Sequence, residues 1–190
     1  MHALEPFWRW RDLYMAEEDE LSPFFEREYS EFEFTHSIYD HAIHPQWDEI
    51  GSPTLFIKIL YADYDEGFAV IEMLGEWNDV ISNDIMFLKR DIMDQLIGNG
   101  IYRFILIGEN VLNFHSDSDD YYEEWYNDII DEGGWIAMLN FSEHVLAEFK
   151  GASLHYYVHC HEDLQDLSWR KFTPDKLLLL VEDKLLKALN

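Results

Sequence analysis

Residues 67–108 read GFAVIEMLGEWNDVISNDIMFLKRDIMDQLIGNGIYRFILIG, and the order of patterns within them decides the fold class. Gly67–Leu74 is a short apolar run of strand length. Ile81, Ile85, Leu88, Ile92 and Leu96 then recur at three- and four-residue steps. That spacing predicts one long amphipathic helix, starting near Asn78 or Asp79 and stopped by Gly98 and Gly100. Tyr102–Ile107 is again almost continuously apolar, as expected of a strand covered on both faces. A strand, a helix and a second buried strand in succession imply a parallel pair joined by a crossover.

Upstream, Thr54–Ala62 forms a second strand pattern, joined to Gly67–Leu74 by the polar loop Asp63-Tyr64-Asp65-Glu66, which predicts a hairpin. Downstream, Tyr122, Trp125 and Ile129 mark a second helix, with Asp120 and Glu123 placed for a capping box. Trp135–Leu139 reads as a buried strand, and Phe141, Val145, Leu146 and Phe149 as a third helix. Leu154–Val158 is the fifth predicted strand. Thr173-Pro174 caps a last helix through Leu177, Leu178, Val181, Leu185 and Leu189. The order β-β-α-β-α-β-α-β-α predicts an α/β fold with a mixed, mostly parallel sheet.

Residues 1–52 have another texture. Pro6 is placed to open a helix carrying Phe7, Trp10 and Tyr14, and Ser22-Pro23 to start a second turn. Phe32 and Phe34 alternate with acids like a brief strand. The expected division is an aromatic-rich acidic arm at 1–52 and an α/β domain with a C-terminal helix at 53–190. Phe7, Trp8, Trp10, Tyr14, Phe24, Phe25, Tyr29, Phe32 and Phe34 crowd an arm too short for its own core. They are expected to pack on the sheet or across a homodimer interface.

The 190 residues carry 39 acidic and 13 basic side chains, a formal net charge of −26. The charge coats residues 1–150, while residues 151–190, with five basic and six acidic groups, are nearly neutral. Apolar residues at 48% rule out a disordered acidic chain. Such a surface opposes non-specific binding to nucleic acid and to anionic membranes. No run approaches the ~20 apolar residues of a spanning helix, and no leader pattern opens the chain, so a cytoplasmic protein is expected. The single cysteine, Cys160, excludes an internal disulfide and a four-thiolate zinc site.

Several segments resemble the STAS domain of bacterial anti-sigma-factor antagonists. Ile71-Glu72-Met73-Leu74-Gly75-Glu76-Trp77-Asn78 is similar to that family's strand and Gly-Glu-Leu-Asp-like turn before its first helix. Phe104-Ile105-Leu106-Ile107 with Asn110-Val111-Leu112-Asn113-Phe114 resembles its central strand and the segment leading to its second helix. Trp135–Leu139 followed by Asn140-Phe141-Ser142 resembles its last long strand and helix start. The resemblance spans roughly 54–158 and implies a STAS-like fold and a non-catalytic regulatory module that binds another protein. It also implies a phosphorylatable serine at the start of the second helix, where this chain has His115, Ser116 and Ser118. No glycine follows these serines, and Asp117, Asp119 and Asp120 would repel a phosphate, so capping is the competing role. Asn110, His115, Ser116 and Ser118 are therefore the candidate interaction residues. A partner with a basic surface is expected, since charge complementarity speeds and selects encounters.

No cofactor is expected. His155, His159 and His161, with Glu162 and Asp163, are the densest set of metal-ligand types, sharing one face if they lie on a strand. Solvent-facing histidines at a strand end are the competing reading, and Tyr157 would interrupt the face. His41 and His44 have one-turn spacing, but Pro45 opposes a helix there. Asp117–Asp120 with Glu123 and Glu124 lacks the glycine and twelfth-position glutamate of a calcium loop. A small metal-dependent or acid–base enzyme using His155–His161, and a carrier of a small apolar ligand between arm and sheet, are the alternative functions.

Overall fold

The computed structural model describes residues 4–188. Its centre is the predicted hairpin and the strand after it. Strands β4 (Leu55–Asp63) and β5 (Phe68–Asn78) pair antiparallel, and β5 pairs parallel with β6 (Arg103–His115). β6 pairs parallel with β7 (Trp135–Leu139), as the crossover pattern required. A short strand from the arm, β3 (Asp48–Glu49), adds antiparallel to β4, giving the order β3-β4-β5-β6-β7. Two further arm strands, β1 (Ser37–Ile38) and β2 (His41–Ala42), form a separate hairpin. The architecture is a mixed α/β sheet covered by helices, as expected.

Alternation along the strands sends side chains to two different layers. Ile71, Met73, Phe104, Leu106, Ile136 and Met138 meet the helices on one face. These are α4 (Asp120–Ile130), α5 (Glu143–Gly151) and the helical segment after β5. Phe68, Val70, Ile105, Ile107, Ala137 and Leu139 meet α6 (Pro174–Ala188), Trp169 and the arm's Trp10 on the other. This two-sided cover is why β5 and β6 read as continuous apolar runs. Arm aromatics thus join the core in cis: Phe7 and Trp10 pack edge-on against Trp169, with Phe7–Trp169 ring centres 4.8 Å apart. Phe32, at 86% exposure, and Phe34 stay outside.

Several local expectations are corrected. Among its described residues the arm forms hydrogen-bonded turns around Trp10 and Ser22 and no helix, and Phe32 and Phe34 lie outside any strand. The long helix after β5 is broken into α1 (Asp79–Ser82), α2 (Asp84–Phe87), a π-helical stretch (Leu88–Met93) and α3 (Asp94–Gly98). Asn83 causes the first break, with φ +52° in the left-handed region that asparagine tolerates. Ile85, Leu88, Ile92 and Leu96 remain buried, but Ile81 is turned out to 84% exposure. β6 continues through Asn110–Phe114, predicted as a connecting segment, with register shifts that accommodate the extra residues. The fifth strand is absent: Leu154–Tyr156 is a 3-10 turn, and only His159 bridges Ala137. Leu189 of the last predicted stripe lies outside the described residues.

Gly75, in the central strand β5, is required by the close approach of Thr54 and the β1–β2 hairpin. Its φ is +112°, and a Cβ would lie 2.0 Å from the Thr54 carbonyl oxygen and 2.8 Å from Ile38. The glycine lets the β1–β2 hairpin approach the backbone of β5.

Candidate functional site

The C-terminal ends of β5 and β6 bring together α1, the loop 116–119 and the start of α4. Asn78 ends β5 and caps α1, its side chain accepting from the Ile81 backbone N–H at 2.9 Å. In register beside it lies His115, the last residue of β6, which is exposed. Ser116 is half-buried and Ser118 exposed. Asp119 occupies the cap position of α4 without a side-chain capping bond, so the predicted capping box is not formed. Ser118 instead donates to Asp120 (3.1 Å), and the Tyr157 hydroxyl to Asp119 (3.1 Å).

A buried carboxylate holds this end rigid. Asp79, 2% exposed, accepts from Trp77 Nε1 (3.0 Å), the Ile85 backbone N–H (2.9 Å) and the Tyr122 hydroxyl (2.6 Å). It therefore ties β5, α2 and α4 to one point. Burial pushes its carboxyl up to about 6, although these three donors pull the other way. Asp84 accepts from the Asn78 backbone N–H at 2.7 Å and completes the junction. On this fixed base α1 presents Val80, 59% exposed, and Ile81, 84% exposed.

Asn110 is placed elsewhere. It is half-buried and lines an apolar groove of about 320 Å³ between the sheet and the arm, with Leu4, Ile38, Ile43, Leu74 and Leu112. Of the four candidate residues, the strand end gathers His115, Ser116 and Ser118, and the groove takes Asn110.

Two carboxylates on the opposite sheet face, buried Glu72 and exposed Glu109, were not singled out from the sequence. Glu72, 1% exposed in the middle of β5, accepts from the Phe7 backbone N–H at 2.8 Å, and Arg170 approaches its other oxygen at 3.6 Å. Burial raises its carboxyl to about 7 despite both partners, and Glu109 adds to the rise. Glu109 takes most of Arg170 (2.7 Å) and accepts from Asn140 and Trp169. Burial pushes Glu109 up, but those hydrogen bonds outweigh it and hold the carboxyl below its ordinary value. The legible signal was one acid inside an apolar strand covered on both faces.

Loss of the fifth strand disperses the three histidines. His155 is exposed and lies against Tyr156, while the His159 and His161 rings come within 5.8 Å of each other. They line a depression of about 680 Å³ with Lys150, Val158, Cys160, Glu162 and Asp163. Among the described residues, the group with three metal-ligand atoms within 4.8 Å is Asp94, Glu124 and Asp128. Lys89 pairs with all three and Arg90 with Asp94 and Glu124, so protein cations already neutralise it.

No protein-family model matches the chain, and no curated protein matches it either. A structure described as the anti-sigma factor antagonist SpoIIAA in its unphosphorylated form has a TM-score of 0.48 at 13% identity. It covers 67% of this chain and 96% of that one. The Bacillus cell fate determinant SpoIIAA in the phosphorylated form gives 0.42 at 13% identity, covering 66% and 98%.

Proposed function

We propose that this chain is a non-catalytic regulatory module that binds another protein through the face at the C-terminal ends of β5 and β6. One observation carries the reading: Val80 and Ile81 stand out at 59% and 84% exposure on α1, which packs against β6, whose end leads into exposed Asp117, Asp119 and Asp120. An apolar centre with a charged rim is the usual make-up of a protein interface. The rim's sign selects a partner with a basic surface, and that charge acts mainly on encounter rate and salt dependence. No helix among the described residues is long and apolar enough to cross a membrane. The buried free thiol of Cys160 suits a reducing, cytoplasmic setting.

Exposed Ser118 is the serine a kinase could reach, and a phosphate there would add charge to a rim that already has three carboxylates. Against a basic partner, modification is thus expected to speed encounter and strengthen docking. Affinity capture from extract should retain a protein on the wild-type chain and lose it about tenfold with Ile81→Asp. Higher salt should weaken it further. Equal retention by wild type and Ile81→Asp would remove this face from the interface. The arm's Phe32 and Phe34 offer a separate surface for a second copy. A dimer in light scattering that Phe32→Ser with Phe34→Ser converts to monomer is the expected result for that contact.

A further inference from the structure

We propose that His159 and His161 form the fixed half of a binding site for a divalent transition-metal ion of zinc type, completed by the carboxylate of Asp163. The backbone on either side is pinned. His159 donates its N–H to the Ile136 carbonyl (2.8 Å), and its own carbonyl accepts from Met138 (2.9 Å), fastening it to the edge of β7. The His161 carbonyl accepts from the Leu164 N–H (3.1 Å) and Gln165 Nε2 (3.2 Å). His159 and His161 are two residues apart and their rings come together, while Cys160 between them is buried at 3% exposure.

The two rings stand 5.8 Å apart at 72°. Imidazoles sharing one zinc ion at about 2.0–2.1 Å place their ring centres about 5–6 Å apart. Both ring nitrogens of His161 are shielded from solvent and have no hydrogen-bond partner. A neutral imidazole has one donor and one acceptor, and a metal ion on the acceptor nitrogen would recover that half of the cost of leaving both unmet. Glu162 and Asp163 are exposed and form no ion pair among the described residues, and Asp163 is the carboxylate whose charge reaches His161, so it is the one free to swing toward the pair. Two nitrogens and an oxygen suit zinc, copper or nickel, whereas magnesium and calcium demand an all-oxygen shell. Lys150 lines the same depression and opposes a dication. Removing it should tighten binding.

The test is calorimetric titration of untagged full-length protein with Zn²⁺ alone and with Mg²⁺ alone. One equivalent of Zn²⁺ should bind, with no Mg²⁺ binding at the same concentrations. His159→Ala and His161→Ala should each weaken it at least tenfold, Lys150→Ala should strengthen it, and His41→Ala with His44→Ala should leave it unchanged. Ring nitrogen resonances of wild-type protein, followed by NMR through the same titration, should shift for His159 and His161 first; this readout needs no variant to fold. Absence of stoichiometric Zn²⁺ binding would overturn the proposal. So would binding that the His159 and His161 substitutions leave intact, or ring shifts confined to other histidines.

Discussion

Between pH 8 and pH 5 the melting temperature of this protein is expected to rise, and Glu72→Gln is expected to remove most of that rise. Glu72 titrates near 7 in the folded chain against an ordinary value of 4.5, with burial as the main cause. The folded state therefore holds its proton more tightly than the unfolded state. The associated stability is fully present below pH 4.5, is lost as pH rises towards 7, and is constant above that. A difference of that size corresponds to about 3 kcal/mol, or about 6–12 °C for a chain of this length. Asp79, raised to about 6, contributes in the same direction. Glu109 acts oppositely only below this window, because its carboxyl is held low. His159 and His161, lowered by burial, act oppositely within it, so the difference between wild type and Glu72→Gln is the decisive quantity. Glutamine keeps an acceptor for the Phe7 N–H and adds no charge, so at pH 8 the variant should be the more stable protein. Differential scanning calorimetry at several pH values measures both curves. Parallel curves for wild type and Glu72→Gln would show that Glu72 is not the titrating group.

Glu72 also shows what the sequence could and could not disclose. The strand around it was legible because Ala69, Val70, Ile71, Met73 and Leu74 leave no wet face, which implies burial of the acid among them. Its partner was not legible, since the Phe7 N–H lies 65 residues away on an arm without regular structure. The hairpin, the parallel strands and the last helix followed from local periodicity. The break at Asn83 did not, because one left-handed residue leaves the apolar spacing of Ile85–Leu96 intact while turning Ile81 to solvent. β6 was read short for a related reason. Glu109, Asn110 and Asn113 interrupt its apolar run, yet Val111 and Phe114 are buried and register shifts let the pairing continue to His115. The failed fifth strand had apolar and aromatic residues of the right kind at 154–158. Pattern could not show that β7 receives only one bridging residue, His159, on its outer edge.

Asp79→Ala is expected to be the most damaging single substitution at the strand end, and Asp79→Asn nearly harmless. Alanine would strand three donors in the core: Trp77 Nε1, the Ile85 N–H and the Tyr122 hydroxyl. Each unmet buried donor costs about 1–3 kcal/mol, and partial rearrangement brings the expected total to about 3–5 kcal/mol. Asparagine keeps an oxygen where Trp77 and Ile85 donate, and the Tyr122 hydroxyl can rotate to accept from its amide. It also removes a buried charge whose burial raises the carboxyl to about 6, so at pH 8 the change should stay within about 1 kcal/mol. Urea unfolding at pH 8, with slopes compared to confirm a two-state transition, separates the two variants. Equal losses for alanine and asparagine would mean that negative charge, not donor satisfaction, holds the junction. The same hub fixes the base from which Val80 and Ile81 project, so Asp79→Ala should also speed amide exchange through α1 and α2 while leaving β4 and β7 protected. If those amides keep wild-type protection, the docking face owes its rigidity to something other than Asp79.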